Sequence, residues 1–306
     1  MKIAVIGLGD IAEKAYLPVL GATPGLDLHL CTRDRATLDR IGDAYRVGHR
    51  FTSVADVLEA GVGAAFVHTA TGAHVEVVEP LLRAGVHVYL DKPIAYTFAE
   101  CERLVRLARE AERSLFVGFN RRRAPSYAAL RELPRDLVVM QKHRVRHPDD
   151  PRIVVYDDFI HVVDTLRFLV PGEIKHTGIR TRVVDGLLEH VTLELSGDGF
   201  AAFGIMSRVS GSAEETVEVM GGDVKRRVVN LADVIDHSGG ETLTRRGDWT
   251  PVSRQRGIEG ACLEFLDAVR SGTVVDAGDA LVTHAICEDV VAACAAGETS
   301  AGYDPV

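Results

Sequence analysis

The chain has no C-x-x-C pair, and its five cysteines, at positions 31, 101, 262, 287 and 294, form an odd set without metal-ligand spacing. That excludes a disulfide framework and implies reduced thiols in a reducing compartment. No apolar run approaches the ~20 residues that a membrane-spanning helix needs. The N-terminus already reads as a strand, so no signal peptide is expected and the cytoplasm is the expected location. Positive charge is scarce: 35 Lys and Arg against 44 Asp and Glu give a formal net charge of −9. Nucleic acid and anionic membranes are therefore poor candidates for the main partner. The short basic clusters Arg121-Arg122-Arg123 and Lys225-Arg226-Arg227 are expected to be solvated faces. Internal repeats, low-complexity segments and a disordered linker are all missing. What remains is a 306-residue chain, 46% hydrophobic, with enough length for two cores.

Strand and helix signals alternate from residue 2 to residue 118, which predicts a parallel sheet with right-handed crossovers. Beyond Gly118 the apolar residues alternate with polar ones in longer runs, among them 137–146, 174–184, 188–195, 201–207 and 216–221. Those runs predict an open, largely antiparallel or mixed sheet. The expected fold is thus α/β: a doubly wound Rossmann domain over residues 1–120 and an α/β domain over 121–306 for substrate binding and oligomerisation. The segment 149–169 reads as a helix in the second domain, and helices at 258–271 and 277–296 close the chain.

The run Lys2-Ile3-Ala4-Val5-Ile6 breaks into Gly7-Leu8-Gly9-Asp10-Ile11-Ala12 and continues as a helix. This strand, turn, helix order is the context that a dinucleotide fingerprint requires. Gly7 permits the tight turn, Gly9 lets the backbone approach a pyrophosphate, and Ala12 lets the helix pack on the strand. The N–H groups at the helix start then face the phosphates. One strand later, Thr32-Arg33 suits a ribose 2′-phosphate better than a 2′-hydroxyl, which favours NADP(H), with NAD(H) as the alternative. Under that alternative Asp34 is the ribose acid and Arg33 stacks on adenine.

Two further constellations carry chemistry. Asp91-Lys92-Pro93 ends the apolar run 86–90, so that Lys92 emerges with Asn120 at the carboxyl edge of the parallel sheet, where ligands bind in such folds. In the helical segment, Asp157 and His161 are four apart and Asp164 follows one turn later. A histidine with a neighbouring acid is a natural proton carrier, and a plain helix salt bridge accounts for the same spacing equally well. A metal held by Asp157, Asp158 and His161 is not expected, because a further ligand is missing.

These motifs, together with Thr69-Ala70-Thr71-Gly72-Ala73-His74 and Gly118-Phe119-Asn120-Arg121-Arg122, resemble the Gfo/Idh/MocA oxidoreductases over nearly the whole chain. Phe66-Val67-His68, Lys142-His143-Arg144 and Glu215-Thr216-Val217 resemble its MviM-type branch, whose virulence-factor label defines no substrate. The resemblance implies that Lys92 is the catalytic lysine and that His161 and Asp157 are the pair on the substrate side. It places Gly7, Gly9, Asp10, Ile11, Ala12, Thr32, Arg33, Thr69, Ala70, Thr71, His74, Asp91, Lys92 and Asn120 along the cofactor. A packing histidine at a helix start explains His74 as well. Arg121, Lys142, Arg144 and Asp158 join Lys92, Asn120, Asp157 and His161 as expected substrate contacts. The implied reaction moves a hydride between nicotinamide C4 and a carbon bearing a hydroxyl or carbonyl. His161 takes the hydroxyl proton while Lys92 holds the same oxygen, and a homodimer or homotetramer forms through the C-terminal sheet. Reduction of an imine-like substrate and a non-catalytic NADP(H) sensor are the competing readings.

Three positions depart from the family pattern. Asp91 stands where a glutamate is usual, Asp10 puts a charge in the glycine loop, and 151–156 replaces a glycine-rich segment before Asp157.

Overall fold

The computed structural model describes residues 1–296 and divides into two units. The first comprises Met1–Asn120 and Val252–Val282, the second Arg121–Pro251 and the chain from Thr283. Residues 252–282 thus belong with the N-terminal stretch in the first unit.

In the first unit six strands, β1 (Lys2–Ile6), β2 (Asp27–Cys31), β3 (His49–Phe51), β4 (Ala64–Val67), β5 (His87–Leu90) and β6 (Leu115–Val117), are all parallel, in the order β3-β2-β1-β4-β5-β6. That order reverses at β1/β4, which creates the crevice where such sheets take dinucleotides. Strand β3 is three residues long and half-exposed, too short to leave a periodic signal in the sequence. The return of 252–282 has a packing cause. Helix Ile258–Ser271 buries Ile258, Ala261, Cys262, Phe265 and Leu266 in the same core as β1, β4 and β5. Phe265 meets Phe66 edge-on, with ring centroids 5.2 Å apart, and also packs on Tyr89 and Phe116. Without that helix these aromatic faces would be left to water, at about 25 cal/mol per Å² of apolar surface.

In the second unit eight strands run β7 (Leu137–Lys142), β8 (His176–Val184), β9 (Leu187–Gly197), β10 (Phe200–Ser207), β11 (Glu215–Gly221), β12 (Val224–Val229), β13 (Asp233–His237) and β14 (Glu241–Thr244). Their order is β14-β13-β12-β11-β7-β10-β9-β8, with β7/β10 parallel and every other pair antiparallel. The helix Ile160–Leu169 lies on β7 and β10, and Gly204 makes the approach possible. A Cβ there would stand 2.6 Å from Val162 Cγ1 and 3.0 Å from Leu166 Cδ1. All five cysteines are buried thiols.

Candidate active site

In the first unit, the glycine turn forms because β1 must hand the chain to a helix within a few residues. Gly7 adopts φ +87°, and a Cβ there would lie 2.6 Å from Thr69 N and 2.8 Å from His68 O, both backbone atoms. Gly7→Ala is therefore expected to cost at least the ~1–3 kcal/mol of a left-handed non-glycine residue, read as a lower denaturation midpoint. An unchanged midpoint would contradict this. Gly9 differs: a Cβ there would touch nothing within 4 Å, so packing does not explain the glycine. An open cradle beside a helix start is what a pyrophosphate needs. Ile11 is 49% exposed at the same place, and Ala12 is fully buried. Asp10 is turned to solvent and paired with Lys14 at 2.6 Å. The helix continues through a π-helical stretch, Ala12–Tyr16, into Leu17–Ala22.

After β2, Thr32 is half-buried and Arg33 exposed, while Asp34 caps the helix Arg35–Tyr45 by accepting from Thr37 N at 2.7 Å. That bond holds the Asp34 carboxyl below its usual range. After β4, Thr69 leaves a buried hydroxyl oxygen without a hydrogen-bond partner, next to Gly7. His74 is buried with Nδ1 2.9 Å from Pro93 O and Nε2 3.1 Å from Thr69 O. Burial outweighs both carbonyls and lowers its pKa, so the neutral ring has a single N–H and donates to one of the two carbonyls.

Asp91 is held by two side chains from elsewhere in the first unit. Its carboxylate accepts from Tyr16 Oη at 2.6 Å and pairs with His68 Nδ1 at 2.7 Å, and the Tyr16 and His68 rings lie 3.9 Å apart. Burial pushes its pKa up, but His68, Tyr16 and the charge of Lys92 outweigh it and hold the carboxyl below its usual value. The shorter acid thus faces back toward β4 and the first helix, and His68 and Tyr16 are its partners. Neither was legible as a site residue, since Tyr16 lies 75 positions from Asp91 and His68 lies 23. The half-buried Lys92 follows at the end of β5, before a cis Pro93. Asn120, the first residue of a 3-10 turn Asn120–Arg123 after β6, donates from Nδ2 to Arg256 O at 2.7 Å.

In the second unit, Asp157 and Asp158 stand in a π-helical stretch, Val155–Phe159, that leads into the helix bearing His161 and Asp164. Such insertions recur at functional sites. The basic triplet is not a solvated face. Arg121 is 6% exposed and grips Glu215 with two bonds, Nε to Oε1 at 2.8 Å and Nη2 to Oε2 at 2.7 Å. Arg122 grips the buried Asp164 at 2.6 Å, and Thr283 adds a bond at 3.2 Å. Lys142 Nζ lies between Glu215 Oε2 at 3.1 Å and Asp158 Oδ1 at 3.2 Å. Arg144 and Arg208 complete the shell of Asp158 at 2.8 Å and 2.6 Å, and Tyr127 Oη donates to Glu215 at 2.9 Å. Burial raises the Glu215 pKa, but Arg121 and Lys142 outweigh it and push the carboxyl far below its usual range. Burial lowers that of Lys142.

Arg121 Nη1 lies 2.7 Å from His161 Nδ1. A guanidinium can only donate, so Nδ1 accepts, and the neutral His161 ring carries its proton on Nε2. The sequence offered no sign of this tautomer, because the two residues are 40 positions apart.

Among the described residues no helix is long and apolar enough to cross a membrane. The NAD-binding Rossmann model of an oxidoreductase family matches residues 1–119, and a YceM-like C-terminal domain matches 125–238. YceM of Salmonella typhimurium is 36% identical over 90% of this chain and 91% of its own length. The structure of the dehydrogenase MviM from Clostridium difficile superposes with a TM-score of 0.90 at 29% identity, covering 95% of this chain and 99% of that one. A myo-inositol 2-dehydrogenase of Thermotoga maritima is 26% identical over 57% of this chain, which spans about half of that relative, 56%. The chain belongs to the Gfo/Idh/MocA oxidoreductases, in the group with a YceM-like C-terminal domain. It is an NAD(P)-dependent dehydrogenase of that family.

Proposed function

We propose that the enzyme prefers NADP(H) and moves a hydride between nicotinamide C4 and the hydroxyl or carbonyl carbon of a small sugar- or polyol-like molecule. The observation that carries the cofactor half is the capping role of Asp34: one oxygen of its carboxylate accepts from Thr37 N at the helix start, while the exposed Arg33, with Thr32, stands at the end of β2 to meet the ribose substituent. The open cradle at Gly9 and the unpartnered Thr69 hydroxyl fit the pyrophosphate and its surroundings. The polyol half rests on the inositol-acting relatives.

When bound, the nicotinamide supplies the hydride acceptor or donor. Lys92 and His161 share the proton chemistry unequally. With Nδ1 occupied by Arg121, neutral His161 offers Nε2–H as a donor to the substrate oxygen. Lys92 is then the group whose protonation changes: its neutral amine takes the hydroxyl proton in oxidation, and its ammonium returns it in reduction. Asp157 grips a neighbouring hydroxyl. Arg121, Lys142 and Asp158 hold the surroundings of His161 through Glu215, and Arg144, 40% exposed, is the member of that network left to meet substrate. The C-terminal sheet is the proposed face for a homodimer or homotetramer.

Fluorescence titration with NADPH and NADH, followed by a polyol and carbonyl panel read at the nicotinamide absorbance, tests this. NADPH is expected to bind more tightly, and Arg33→Ala to weaken NADPH by about 10-fold or more, the ~1.5–3 kcal/mol of a charge-assisted bond, with NADH little changed. Equal losses for both cofactors would remove the 2′-phosphate assignment. Binding without turnover on the whole panel would favour a sensor.

A further inference from the structure

Parallel pairing of β2 with β3 sets His29 opposite His49, and Asp27 lies two residues earlier on β2, on the same face as His29. One ligand atom from each of the three side chains lies within 4.8 Å of the others. The two imidazoles are nearly parallel, 4.4 Å apart and 6° between planes, and both turn Nε2 toward the Asp27 carboxylate, at 3.5 Å and 3.7 Å. His29 is 2% exposed; its Nδ1 has no hydrogen-bond partner, and its Nε2 has only the long 3.5 Å approach to Asp27. An unpaired buried polar group costs about 1–3 kcal/mol, and Phe51, stacked on His29 at 5.7 Å, offers it none.

We propose that Asp27, His29 and His49 form a divalent-metal site, with zinc as the best-suited ion. Two imidazoles and one carboxylate with an open fourth position are a zinc donor set, whereas magnesium and calcium call for oxygen ligands. Zinc bonds of about 2.0–2.2 Å bring neighbouring ligand atoms to roughly 3.5 Å. His29 is held rigidly by its neighbours, while Asp27 and His49, with side chains 46% and 57% exposed, have room to close the remaining distance. The ion would staple the edge strand β3 to β2. Phe51, at the end of β3, accepts from Thr32 N at 3.2 Å, so the staple would brace the strand behind the Thr32-Arg33 turn without joining the chemistry. Sequence spacing hides the cluster, because His49 stands twenty positions after His29 and only the strand register brings them together.

Calorimetric titration of ZnCl2 into the tag-free, chelator-stripped full chain tests the site without any cofactor, so its outcome is independent of the hydride-transfer reading. One equivalent is expected to bind with low-micromolar or tighter affinity and to raise Tm, as any ligand selective for the folded state does. Asp27→Asn and His49→Ala, both at exposed positions, are each expected to weaken binding at least about 10-fold, since loss of a residue that merely orients a ligand already costs that much. Because His29→Ala would also empty a buried position, the exposed ligands Asp27 and His49 carry the test. Failure of the wild-type chain to bind zinc, or binding that His49→Ala leaves intact, overturns the proposal.

Discussion

Lys92→Ala is expected to lower kcat by about 10²- to 10⁴-fold, the usual contribution of a positioned proton carrier. NADPH affinity should stay within a few-fold, because the proposed phosphate and ribose contacts lie at the glycine turn and Arg33 and leave Lys92 out. His161→Ala is expected to cost about 10²- to 10³-fold, the value of a preorganised donor to a charged oxygen. The two variants separate by their pH profiles. If Lys92 carries the proton, its removal abolishes the ionisation seen in kcat, whereas His161→Ala lowers the whole curve and keeps its shape. Near-normal turnover of Lys92→Ala, or loss of the same limb in His161→Ala instead, would refute the division of roles. The measurement uses whichever panel compound is turned over fastest.

Glu215→Ala is expected to destabilise the second unit by about 3–5 kcal/mol. Removing one partner leaves Arg121 and Lys142 buried without their shared counter-charge, and that penalty exceeds the worth of the pair itself. For a unit of this size the midpoint of thermal unfolding should fall by roughly 6–20 °C. The sign of the pH dependence follows from the depressed carboxyl. Between its folded pKa and the ordinary value of 4.5, the unfolded chain binds the proton and the folded chain does not. Its stabilising contribution is therefore complete above about 4.5 and is lost progressively as pH falls below it. Glu215→Gln should flatten that acid limb in urea titrations at stepped pH. A wild-type midpoint that is insensitive to pH from 5 down to 3 would sink the argument.

Local physics explains why some of this was legible. The glycine turn, the helix start after it and the apolar strands β1, β2, β4 and β5 depend on residues close in sequence, where period, φ requirement and side-chain size leave few choices. The same holds for Lys92 at a strand end and for the antiparallel run of the second unit. Strands β12 to β14 escape because, Val228 apart, their residues are half-buried or exposed and show little alternation. The helix Ile258–Ser271 was placed correctly in the chain and wrongly in space. Its apolar face fits any apolar layer, and only the aromatic faces of Phe66, Tyr89 and Phe116, which it covers, select the first unit.

Charge is where chain order carries least. Arg121, Arg122 and Arg123 look alike in the sequence, yet Arg121 is buried on Glu215, 94 positions away, and Arg122 on Asp164, 42 away. An ion pair between distant segments leaves no periodic trace, because the Coulomb partner is chosen after the strands and helices have packed. The family, the Rossmann half and the position of Lys92 thus follow from amino-acid order, since each rests on backbone and packing requirements within a few residues. The partners of Asp91, the tautomer of His161 and the meeting of Asp27, His29 and His49 follow from three-dimensional packing alone, because each depends on polar atoms brought together across strands and loops.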